Sequence, residues 1–178
     1  MNKLVRAILL VLICTACASS KLIKKEGLSL VAISASSSGG AVAGVGILIS
    51  LLHIESEQIY KSVPLSPVSV HSAVPNLPCG KYLVIELGLP IGGVTYYAGG
   101  ERLVHYFDTL HIEANSKYYL GKFIGTKYFG RKNSVFLELE EADVPKNLKS
   151  ILEGDRLRWT ENDFKLIPPK SKDRFTVY

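Results

Sequence analysis

The first twenty residues, Met1 to Ser20, constrain this chain more than any other stretch, because they set where the remainder has to fold. Lys3 and Arg6 give a short positive start, and Ala7 to Ile13 is an unbroken apolar run. Small residues follow at Thr15, Ala16, Ala18, Ser19 and Ser20. Charge, apolar run and small residues in that order are the layout of a secretory signal peptide. A helix that crosses a bilayer needs roughly 20 apolar residues, and Ser19, Ser20 and Lys21 interrupt this run before that length. An exported domain is therefore expected.

Thr15-Ala16-Cys17 resembles the end of a bacterial lipobox, in which Leu, a small residue and Gly or Ala precede the Cys that is lipidated. Thr15 and Ala16 match the second and third positions, and Cys14 stands where Leu is usual. The resemblance implies cleavage before Cys17, a diacylglycerol on its sulfur and, in many bacteria, a further acyl chain on its amine. Two or more chains hold a protein stably at a membrane where one holds it only marginally. Ala18, in place of an Asp, is similar to the residue after the Cys in outer-membrane lipoproteins. The implied address is the bacterial cell envelope, lipid-anchored in the outer membrane and facing the periplasm. The alternatives are an ordinary signal peptide cut after Ala16 or Ala18, or an uncleaved anchor.

Removing residues 1–16 from the 178 leaves enough chain for one domain with a real core. The formal net charge of +5 falls by two when Lys3 and Arg6 leave. A nucleic-acid partner is not expected, since the remaining Lys and Arg are scattered rather than gathered on one face. Lys21, Lys24 and Lys25 after the leader, with Lys170, Lys172 and Arg174 near the end, suit anionic lipid or an envelope polymer. With Cys14 removed and Cys17 lipidated, Cys79 is left alone, so no intramolecular disulfide is expected and stability rests on the core.

The expected architecture is α+β. It comprises a lipidated tether (17–27), a Gly/Ser/Ala-rich helical segment (28–63), a Pro-rich linker (64–80), a β-rich domain (81–167) and a charged tail (168–178). Leu28 to Ile54 carries no charge unless His53 protonates, and Gly40 and Gly44 form a GxxxG suited to close helix packing. It reads either as a membrane helix that self-associates or, preferred here, as a strand or loop followed by a buried helix from about Gly40 to Lys61. In the β-rich domain, Tyr82–Leu87, Leu110–Ala114, Lys117–Phe129 and Ser134–Glu140 read as strands. Gly99-Gly100 predicts a hairpin that sets Tyr96 against Leu103, Val94 against His105 and Tyr97 against Arg102. Pro145 to Leu152 reads as a short helix, and Asp155–Ile167 as a final hairpin. A small antiparallel sheet or partly open barrel is expected.

The sharpest catalytic candidates are Cys79 with His105 or His111. Tyr97-Ala98-Gly99 and Leu103-Val104-His105 resemble a hairpin of the papain-like group that contains cell-wall endopeptidases and lecithin-retinol acyltransferase relatives. The resemblance covers about fifteen residues. That group carries its catalytic His on the first strand, where this chain has Gly92-Gly93-Val94-Thr95. A metal site from His105, Asp108 and His111 needs a bend between them, and no metal or cofactor is expected. Glu138, Glu140, Glu141 and Asp143 read as a solvated strand face and its end, and the Tyr-rich run 118–128 reads as core. The expected role is non-enzymatic binding or scaffolding at the membrane, with a protein or cell-wall polymer as partner. A thiol hydrolase or acyltransferase using Cys79 and a membrane-embedded homo-oligomer through Gly40 and Gly44 are the alternatives.

Overall fold

The computed structural model describes residues 22–38, 46–65, 70–91, 94–128, 134–141, 143–154, 157–160, 162–167, 169–170 and 175–177. Its strands are β1 (Ser29–Ser38), β2 (Leu48–His53), β3 (Ile59–Lys61), β4 (Val63–Pro64), β5 (His71–Leu77), β6 (Gly80–Ile91), β7 (Val94–Gly99), β8 (Leu110–Ile112), β9 (Lys117–Tyr128), β10 (Ser134–Glu141), β11 (Phe164–Leu166) and β12 (Phe175–Val177). Two short helices, α1 (Glu101–Tyr106) and α2 (Lys146–Glu153), follow β7 and β10. The protein is mostly β and rests on two antiparallel-rich sheets. The larger has the order β12-β10-β9-β1-β5-β4 with β11 beside β9, and the smaller runs β3-β2-β6-β7 with β8 beside β6.

Alternation along β1 explains the layering. Val31, Ile33 and Ala35 point between the sheets, into a core shared with Val84 and Leu87 of β6 and Tyr118, Leu120 and Phe123 of β9. Leu30 and Ala32 point the other way, toward Leu148 and Leu152 of α2, Leu22, Leu157 and Trp159. The larger sheet is thus buried on both faces, which calls for apolar side chains in both phases of its strands. β9 runs parallel to β1, from Leu30↔Lys117 to Ser38↔Thr126. β10 covers its far edge along Lys122–Tyr128, and β11 covers it along Lys117–Tyr119.

Several expectations are corrected. The segment 28–63 is not helical in its described part, but forms β1, β2, β3 and the start of β4. Ile47, Ile49, Leu51 and His53 are buried in alternation, with Leu48 and Leu52 half-buried between them. An apolar run on both faces of a strand imitates the stripe of a buried helix, and periodicity does not separate the two. The stretch expected as a linker, 64–80, contains β5, which pairs with β1, so 28–63 and 81–167 share both sheets. Among the described residues no helix is long and apolar enough to cross a membrane. Cys17, Gly40 and Gly44 lie outside the described residues.

The Gly99-Gly100 hairpin is not formed either. β7 folds back along β6, with Gly88 opposite Tyr97, and Gly100 at φ 72° turns the chain into α1. Leu103, Tyr106 and Phe107 bury one helical face at the spacing i, i+3, i+4. The side chain of Arg102, expected against Tyr97, lies outside the described part. In place of the final hairpin, the described residues hold β11 alone, parallel to β9. The strands expected at Tyr82, Leu110, Lys117 and Ser134 are present, as is the helix bracketed by Pro145 and Gly154.

Candidate binding groove at the junction of the sheets

The chain leaves the smaller sheet at Lys61 and enters the larger at Val63. β3 pairs on one side with β2, from Leu52↔Ile59 to Ser50↔Lys61. β4 pairs only with Ala73 and Ser72 of β5. The edges left over, β3 and the far half of β5, border a groove of about 610 Å³ whose lining includes Lys25, Tyr60, Lys61, Val74, Pro75 and Asn76. Pro75 has no N–H to offer and Asn76 sits at φ 57°, so strand addition along the β5 edge is blocked. Recognition here falls to side chains.

Lys25 reaches the groove because the segment before β1 is docked rather than free. Leu22 is buried at 2% exposure, and the Trp159 indole N–H donates to its carbonyl at 2.8 Å. The Lys24 N–H donates to the Leu157 carbonyl at 3.2 Å, and the Gly27 N–H to Asn115 Oδ1 at 3.0 Å. Asn76 clamps the segment from both sides: its Oδ1 accepts from the Lys25 N–H at 2.9 Å and its Nδ2 donates to the Ile23 carbonyl at 3.1 Å. The tether expected over 17–27 is therefore part of the body from Leu22 onward. Among the described residues no carboxylate lines the groove, and neither Lys25 nor Lys61 forms an ion pair.

Of the catalytic candidates, Cys79 precedes by two residues Lys81, which pairs with His111. Cys79 is exposed in the turn between β5 and β6. His111 is exposed on β8, opposite Lys81, and the side chain of His105 on α1 lies outside the described part. An imidazole beside the Cys79–Gly80 turn is that of His53, which the sequence did not single out: a Cβ on Gly80 would lie 2.2 Å from its Nε2. His53 Nδ1 is held by Ser56, 2.8 Å from its hydroxyl oxygen and 3.2 Å from its backbone N–H, and the ring is buried. The Tyr82 ring stacks on His53 at 4.8 Å, and its hydroxyl donates to the Pro78 carbonyl at 2.8 Å. Burial, with Tyr60 and Cys79 nearby, raises that hydroxyl above the ordinary phenol range and keeps it protonated. The hairpin behind the papain-like resemblance is absent, since Glu101–Tyr106 is helical. Asp108 pairs with Lys170, and among the described residues no three His, Cys, Asp or Glu side chains converge as metal ligands.

A second polar cluster lies between the larger sheet and α2. Ser34 Oγ is 2.6 Å from His71 Nδ1, and the Tyr119 hydroxyl donates to Ser34 Oγ at 3.0 Å. A serine beside an imidazole is the pairing of nucleophilic catalysis, but Ser34 is 0% and His71 3% exposed, so no substrate reaches them. Burial holds the His71 imidazole below its ordinary pKa; a hydrogen bond with Asn147 of α2 opposes this, and the charge of Lys122 reinforces it. The cluster joins β1, β5, β9 and α2. Tyr118 and Tyr119, from the Tyr-rich run, belong to the two cores.

Comparison with protein-family models, with curated proteins and with solved structures found no match.

Proposed function

We propose that this chain is an envelope lipoprotein, held by acyl groups on Cys17, whose two-sheet body serves non-enzymatically as a binding or scaffolding module at the membrane surface. The observation that supports this reading is the docking of Leu22 beneath Trp159. Five residues of extended chain, Cys17 to Leu22, span at most about 18 Å. An anchor at Cys17 then holds the body against the bilayer, with the Lys25 groove on the tethered side. Its partner is an envelope protein or a cell-wall polymer.

The thiol reading has less behind it, because among the described residues no hydrogen bond joins Cys79 to an imidazole. Gly40 and Gly44, on which self-association would rest, lie outside the described residues. The test is the intact mass of protein purified from membranes, with a Cys17→Ala variant fractionated in parallel. A chain beginning at Cys17 plus acyl groups, together with a variant that turns soluble, is the expected result. An unmodified chain whose variant stays with the membrane would refute the anchor.

A further inference from the structure

We infer that the groove between β3 and β5 takes the phosphate of an anionic phospholipid headgroup, from the bilayer in which the chain is anchored. The inference rests on the anchored reading and gives its body a specific ligand.

The groove is lined by two lysines, Lys25 and Lys61, from parts of the chain that are far apart in sequence. Both side chains are exposed, and among the described residues no acid lines the groove. Glu26 and Glu57, exposed and close in sequence, are not among the lining residues. A lysine ammonium is a compact charge that binds phosphate oxygens without demanding a planar partner. The lining is apolar as well as basic, since Val63, Val74 and Pro75 contribute to it, and two exposed isoleucines are neighbours in sequence of its lysines. Ile23, whose carbonyl is held by Asn76, is 41% exposed, and Ile59 is 50% exposed. Ile59 lies on the same face of β3 as Lys61, two residues along the strand. Apolar side chains between two lysines suit a headgroup with its glycerol and upper acyl chain, since a free anion gains nothing from apolar surface. Lys25 also lies only three residues beyond Leu22, where the short span from Cys17 ends, so the site cannot stray far from the membrane surface.

The test uses the full chain carrying Cys17→Ala in dodecyl maltoside, titrated with dihexanoyl phosphatidylglycerol and followed by the amide resonances of Lys25, Lys61 and Asn76. Binding is expected to weaken about fivefold for each of Lys25→Ala and Lys61→Ala. The same two changes at the exposed Lys81 and Lys146 control for net charge and should leave affinity unaltered. Unperturbed spectra elsewhere in each variant establish that it is folded. Three results would overturn the inference: no shifts at these amides, equal affinity for dihexanoyl phosphatidylcholine, or inorganic phosphate binding as tightly as the lipid. Acylation of Cys17 is read separately by intact mass. Missing acyl groups therefore count against the anchor, and missing phosphatidylglycerol binding counts against the groove.

Discussion

The ammonium of Lys117, with 1% of its side chain exposed, lies 2.7 Å from a carboxylate oxygen of Glu153 and 2.8 Å from the Trp159 carbonyl. It also sits 5.0 Å from the centre of the Phe164 ring. One buried charge on β9 thereby ties down the end of α2, the following turn and β11. Removing one partner of such a pair leaves the other uncompensated. Lys117→Ala is expected to cost about 2–4 kcal/mol, through the stranded Trp159 carbonyl and the void. Glu153→Gln should cost less, about 1–2 kcal/mol, because the buried ammonium that loses its counter-charge keeps the Trp159 carbonyl and gains the Gln amide oxygen as acceptors. Urea unfolding of both variants checks the order; equal losses would contradict it.

Docking of the segment before β1 can be read through the single tryptophan. Leu22→Ala should cost about 2–3 kcal/mol as a core truncation. It also loosens the carbonyl that receives the Trp159 indole N–H. Trp159 is 1% exposed, so its emission should lie to the blue in the parent and move to the red in the variant. An unchanged spectrum and stability would mean that the segment is not held.

His71 gives the fold an acid-side weakness. Its folded pKa lies below the ordinary 6.5, first because of burial. As pH falls through 6.5 the unfolded chain takes up a proton that the folded chain refuses, so stability declines from there toward the folded pKa and is level above it. Urea midpoints taken from about pH 5 to 8 should show this slope, and His71→Gln should flatten it. A slope of the opposite sign would contradict the assignment.

Gly80 is required by His53. An alanine methyl would stand 2.2 Å from Nε2, at a backbone φ of 151°. Gly80→Ala should destabilise by about 2 kcal/mol or more, and the same change in a His53→Ala background should cost much less. Additive losses in the double-mutant cycle would show that the ring is not the obstacle.

Much of the second half of the chain was legible from local chemistry. β9 and β10 announce themselves by alternation, and α2 by Pro145 before it and Gly154 after it. These elements depend on turns and periodicities that operate over a few residues. The hairpin at Gly99-Gly100 misled because a glycine pair permits more than one reversal, and the i, i+3, i+4 spacing of Leu103, Tyr106 and Phe107 decided for a helix. Ile47 to His53 misled for a related reason, since a strand buried on both faces has no polar phase to reveal its period.

By itself the sequence determined the strands that begin near Tyr82, Leu110, Lys117 and Ser134 and the short helix between Pro145 and Gly154. Only the tertiary structure decided that β1 joins β5 and β9 in one sheet, that His53 stands beside Gly80, and that Lys25 and Lys61 line one groove. Each of these unites residues far apart along the chain. Such pairings are selected by burying two sheet faces together, which acts on the whole fold at once and leaves no mark at short sequence spacing.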